Sequence, residues 1–222
     1  MNRNNRYLDL YNAMRSYFGY LDWWPGETRD EIMVGAILTQ QTQWRNVEIA
    51  IGNLKGAGLI ELAKIAATGH RTIEGLIRPS GFYRQKAKCL IRFASYICSR
   101  YGSIDGFFDK SPGELRKELL SIKGIGKETA DSIILYAANK PAFVIDAYTK
   151  RIMHRVYGIP IDIEYDDLQS LVERSIKAEL ELYKDFHAQF VELGKKHCRT
   201  KPICKGCPVN SMCLYYKKNV RK

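Results

Sequence analysis

The 222-residue chain carries 35 Lys and Arg against 24 Asp and Glu, a formal charge of +11, and is 45% hydrophobic and 27% charged. That balance is the globular average and excludes disordered and fibrous classes. The longest apolar stretch, Ile32 to Leu38, is far short of the roughly 20 residues a bilayer crossing needs, and MNRNNRYLDLYNAMRSYFGY has no apolar core with a small-residue cleavage site, so neither membrane span nor secretory signal is expected.

In chain order, apolar residues at helical spacing first appear at Val47, Ala50, Ile51 and Leu54 and predict a helix burying that face. Cys89 and Cys98 lie in apolar helical context and read as core thiols. Leu119 to Ala130 reads as a helix end, a Gly-x-Gly turn at Gly124 and Gly126, and a new helix, a helix-hairpin-helix pattern spanning about 114–137. Glycines let backbone amides approach a phosphate, and Lys123 and Lys127 add charge there. Taken alone, the pattern is more often an ordinary glycine-capped junction.

The second hairpin helix continues through Ala130, Ile133, Ile134 and Ala137. Ala142 to Ile145 is the only short run with strand character, and nothing shows sustained period-two alternation, so a nearly all-α chain is expected. Asp146 ends that run and opens a helix. As an N-cap it accepts the first free amides; as a functional group it is a carboxylate on a cleft floor, and capping would fix its position for either role. A further helix is predicted around Leu168, Leu171 and Val172.

The tail reads Cys198-x5-Cys204-x2-Cys207-x5-Cys213. Four thiols so close together predict a metal site more readily than disulfides, and the spacing alone suits zinc and a [4Fe–4S] cluster equally. Such a group would order a segment poor in apolar residues, a structural role. Gly194 to Lys222 also holds nine Lys or Arg and no acid, leaving only +2 for residues 1–193. A basic block of this kind is compatible with a solvated tail or with polyanion binding.

The hairpin LLSIKGIGKETA, Val144-Ile145-Asp146 and the four clustered cysteines, in that order, resemble the endonuclease III superfamily of DNA glycosylases. Within it, Trp23-Trp24-Pro25, Leu38 to Trp44 (LTQQTQW), Arg78 to Lys88 (RPSGFYRQKAK), Gly124 to Glu128 and Phe186 to Glu192 (FHAQFVE) are similar to the bacterial 3-methyladenine DNA glycosylase branch, although the best-known member of that branch has no cysteine cluster. The resemblance implies a two-lobed all-α fold with a DNA cleft between the lobes. Residues 25–139 would form a six-helix barrel lobe; 1–24 plus 140–222 would form a second lobe whose 198–213 loop holds a [4Fe–4S] cluster on Cys198, Cys204, Cys207 and Cys213.

Carried over residue by residue, the resemblance implies a monofunctional glycosylase of base excision repair that flips out and hydrolyses alkylated purines such as 3-methyladenine from double-stranded DNA. Strand-cleaving members have a lysine where this chain has Glu128, and a carboxylate cannot form a Schiff base with C1′. Asp146 would stabilise the sugar cation. Trp23, Trp24, Pro25 and Trp44 would wall the base pocket, with Glu128 and Lys195 lining it. Gln41 would fill the gap left by the flipped nucleotide, and Lys123, Gly124, Gly126, Lys127 and Thr129 would address phosphates. His187 reads as a core histidine. A monomer acting in the cytoplasm of a bacterium or archaeon, beside the nucleoid, is expected. The alternatives are an oxidised-pyrimidine glycosylase/lyase and a non-catalytic iron–sulfur DNA-binding module.

Overall fold

The computed structural model describes residues 6–21 and 26–220. Its helices are α1 (Arg6–Phe18), α2 (Arg29–Leu38), α3 (Trp44–Gly56), α4 (Leu62–Ala67), α5 (His70–Leu76), α6 (Tyr83–Tyr101), α7 (Ile104–Phe108), α8 (Pro112–Ser121), α9 (Lys127–Ser132), α10 (Ala147–Tyr157), α11 (Tyr165–Glu173), α12 (Leu180–Lys196) and α13 (Leu214–Asn219). A 3-10 turn covers Arg78–Ser80 and a π-helical turn covers Ile133–Ala137. No strand occurs among the described residues, in line with the all-α expectation, and no helix among them is long and apolar enough to cross a membrane. The chain divides into two units, Trp24–Lys140 and Met1–Trp23 with Pro141–Lys222.

In the Trp24–Lys140 unit, local chemistry sets the helix ends. Thr28 caps α2 by accepting from the Glu31 amide, and Ser111 with Glu114 forms a capping box at α8, whose first residue is Pro112. The core gathers on α2, where Met33, Val34, Ile37 and Leu38 are fully buried, each large aliphatic contributing about 1.5–3 kcal/mol. The faces predicted at Val47/Ala50/Ile51/Leu54 and Ala130/Ile133/Ile134/Ala137 are buried. The second is not one regular α-helix, because after Ser132 the backbone widens into the π turn, closed by the Ala138 amide on the Ile133 carbonyl at 3.0 Å. Cys89 is buried and Cys98 half-buried.

In the other unit, Phe143, Tyr183, Phe186 and Phe190 make an aromatic core, with Phe186 and Phe190 stacked at 4.8 Å and Phe143 edge-on to Phe186 at 5.4 Å. Buried Asp185 on α12 accepts from Tyr11 Oη at 2.7 Å and Arg15 at 3.0 Å, fastening α1. The helix predicted around Leu168, Leu171 and Val172 is α11, with Leu168 and Val172 buried and Leu171 half-buried.

The strand character of Ala142 to Ile145 is corrected by this structure. The run is buried but pairs with no strand; side chains of α11 satisfy it instead. The Phe143 amide donates to Glu173 Oε1 at 2.9 Å, Gln169 Nε2 to the Phe143 carbonyl at 2.8 Å, and the Ile145 amide to Tyr165 Oη at 3.2 Å.

Candidate active site

The hairpin between α8 and α9 is built from its two isoleucines inward. Ile122 and Ile125 are buried, and the Ile125 amide closes the turn on the Ile122 carbonyl at 3.0 Å. Lys123, Gly124, Gly126 and Glu128 are exposed and Lys127 half-buried, while Thr129 is buried with its hydroxyl accepting from Gln40 at 3.0 Å. Gly124 stands at φ 103°, and a Cβ there would lie 2.8 Å from Cys89 Sγ, so glycine is required twice over. Arg116 on α8 grips fully buried Asp131 with two hydrogen bonds at 2.8 and 3.3 Å, setting the angle between the hairpin helices.

Gln41 is exposed and left-handed at φ 53°, a strained state for a residue with a Cβ. Trp44 opens α3, half-buried, with its ring against Gly35 and Nε1 donating to Glu48 Oε1 at 2.9 Å. Trp23, Trp24 and Pro25 lie outside the described residues. A residue that sequence reasoning missed is Phe82, 58% exposed and left-handed at φ 46°. Its only sequence signal is a large apolar side chain directly after Pro79-Ser80-Gly81.

Asp146 is the N-cap of α10. Its Oδ1 accepts from both the amide and the hydroxyl of Thr149, at 2.7 and 2.8 Å. That leaves Oδ2, which faces His187 Nε2 at 3.8 Å, for chemistry on a side chain only 12% exposed. His187 is buried, as its core reading expected, yet it stands beside this carboxylate. Burial pushes its pKa below the ordinary value, opposed by the Asp146 charge. Lys195 is exposed near the end of α12.

Cys198, Cys204, Cys207 and Cys213 line one pocket with Ile152, Val156 and Leu193. Two arginines of α10 hold its rim: Arg151 Nε donates to the Cys198 carbonyl at 2.7 Å, and Arg155 to the Arg199 and Thr200 carbonyls at 2.6 and 2.9 Å and to Cys198 Sγ at 3.4 Å. Among the described residues no three His, Cys, Asp or Glu are grouped so as to hold a metal ion. In a four-iron cluster each thiolate takes a different iron, so thiols spread around one pocket wall fit that group. Burial pushes the Cys207 thiol up to about 11, and burial together with neighbouring thiolate charge pushes Cys204 up, a repulsion that a cationic metal group reverses.

Residues 34–178 match the family model described as HhH-GPD superfamily base excision DNA repair protein. A Methanocaldococcus jannaschii protein named "Putative DNA repair glycosylase MJ1434" is 47% identical over 207 residues, covering 92% of this chain and 94% of its own. The structure of the H. pylori 3-methyladenine DNA glycosylase (MagIII) bound to 1,N6-ethenoadenine superposes with a TM-score of 0.78 at 33% identity, over 86% of this chain and 97% of that one. A non-covalent endonuclease III–DNA complex shares the fold across 100% of both chains, with a TM-score of 0.84 at 21% identity.

Proposed function

The chain belongs to the HhH-GPD superfamily of base excision DNA repair proteins and is a DNA glycosylase; within that class we propose a monofunctional enzyme that releases cationic alkylated purines, such as 3-methyladenine, and leaves the strand uncut. One observation carries this reading. Glu128 stands in the hairpin position where a lyase needs an amine, while Asp146 keeps one carboxylate oxygen for the sugar. The similarity to MagIII supports the alkylpurine substrate.

A positively charged purine is already a good leaving group, so the protein's task is selection and charge stabilisation. Trp44, and on the resemblance alone Trp23 and Trp24, offer ring faces to the cationic base, each such contact contributing about 0.5–2 kcal/mol, with Pro25 as a wall. As the base departs, ionised Asp146 offsets the charge on the sugar through Oδ2. Gln41 and Phe82, both exposed and held in left-handed turns, enter the duplex where the nucleotide leaves it. Lys123, the amides of Gly124 to Lys127, and Thr129 through its backbone hold phosphates of damaged double-stranded DNA.

The two units are the barrel lobe and the cluster lobe of a monomer. Cys198, Cys204, Cys207 and Cys213 hold a [4Fe–4S] cluster, which when bound supplies a rigid fold to a segment with few apolar residues. Tests of the reading run on a panel of duplexes carrying single defined lesions, with and without hot alkali. Release of 3-methyladenine with strand breaks only after alkali supports it; cleavage without alkali, or preference for oxidised pyrimidines, overturns it.

A further inference from the structure

Lys86 is buried in the Trp24–Lys140 unit, 3% exposed, with no carboxylate beside it among the described residues, and burial pushes its ammonium down to about 8. A buried cation persists only where its hydrogen bonds are met. Its Nζ donates to the Leu38 carbonyl at 2.8 Å and the Ser80 carbonyl at 2.6 Å, the last residues of α2 and of the 3-10 turn. Just beyond each point the chain reaches an exposed, left-handed, non-glycine residue, Gln41 at φ 53° and Phe82 at φ 46°. Strain of this kind survives where the surroundings over-determine it.

A second tether lies beside the first. Gln40, adjacent to Gln41, donates through Nε2 to the Gly124 carbonyl at 3.1 Å and to Thr129 Oγ1 at 3.0 Å, both in the hairpin. Two side chains therefore join three loops: Lys86 ties residues 38 and 80, and Gln40 ties its own turn to the hairpin. All four bonds are made to groups of the protein itself.

We propose that Lys86 and Gln40 are positioning residues that lock the turns carrying Gln41 and Phe82 to each other and to the hairpin, so that both side chains are set before the duplex is distorted. Extruding a nucleotide already costs unstacking and unpairing. Turns that had to order themselves at the same moment would add their conformational entropy to that barrier. The proposal rests on the reading of Gln41 and Phe82 as the side chains that enter the duplex.

The test uses the full chain and a duplex with 2-aminopurine beside an abasic-site analogue, whose fluorescence rises when the neighbouring stack is opened. Stopped-flow traces give the opening rate, and titration gives the Kd for undamaged duplex. Gln40→Ala is expected to slow opening between about tenfold and a hundredfold, as misplacement remote from the reacting groups does, without changing that Kd. It is expected to add nothing once Gln41→Ala is present, the signature of one residue acting through the other. Lys86→Met paired with Phe82→Ala gives a second cycle; should Lys86→Met fail to fold, the Gln40 cycle decides. Normal opening by Gln40→Ala, or full additivity with Gln41→Ala, overturns the proposal while leaving Gln41 and Phe82 as the inserting side chains. Normal opening by Gln41→Ala and Phe82→Ala, or no fluorescence rise with the unaltered protein, overturns both.

Discussion

His187 Nε2 lies 3.8 Å from Asp146 Oδ2, while Thr149 takes both hydrogen bonds at Oδ1, so one aspartate serves as helix cap with one oxygen and offers charge with the other. The two roles separate by mutation. Asp146→Asn keeps an oxygen for the Thr149 amide but loses the charge proposed to offset the sugar cation. Base release is expected to fall at least about a hundredfold, the scale of losing one electrostatic stabiliser, with melting temperature and DNA affinity nearly unchanged. Single-turnover excision beside a thermal melt checks this, and a collapsed fold would show the cap to be the dominant role.

His187 makes a pH prediction of definite sign. In the unfolded chain the imidazole protonates near 6.5; in the folded protein burial holds its pKa lower. The unfolded state therefore binds more protons in that window, and stability rises with pH through it. Stability from this group is complete above 6.5 and lost as pH falls through the folded value. Denaturant melts from pH 7 to 5 should show a shallower acid decline for His187→Asn than for the unaltered protein.

Glu128 predicts an absence of covalent trapping. Borohydride reduces an iminium between a protein amine and C1′, and an exposed carboxylate at this position forms none. Wild-type protein with abasic DNA is expected to give little adduct on a denaturing gel, while Glu128→Lys, which supplies the amine, should raise it. Efficient trapping by the wild type would assign lyase chemistry to another lysine.

The cysteine pocket predicts a brown protein with about four irons per chain after anaerobic purification, as four-thiolate ligation implies. Arg155→Ala removes bonds to the Arg199 and Thr200 carbonyls and to Cys198 Sγ. Hydrogen bonds to charged groups contribute about 1.5–3 kcal/mol each in net terms, so faster iron loss to a chelator and a lower melting temperature are expected. Stoichiometric zinc without iron would replace the cluster assignment.

Gly194 on α12 has no room for a methyl group, since a Cβ would stand 2.2 Å from the ring of Tyr148 on α10. Gly194→Ala is expected to destabilise by about 1–3 kcal/mol through overpacking, read as a lower denaturation midpoint. Because α10 carries Asp146 at its N-cap, excision should fall with it. Gly113→Ala, whose Cβ meets nothing within 4 Å, is the control.

The features legible in the amino-acid order are short-range. The Gly-x-Gly hairpin, the N-cap role of Asp146, the buried faces of α3 and α11 and the clustering of four thiols depend on neighbours a few residues apart, where spacing and φ preference act directly. The tertiary structure decided what depends on distant partners. Lys86 reaches a carbonyl 48 residues away, a partner that no local spacing in the sequence announces. His187 meets Asp146 only because α12 packs on α10, and Ala142 to Ile145 is no strand because α11 side chains, rather than a neighbouring strand, take its hydrogen bonds. Burial creates the demand for those partners, and only the folded chain supplies them.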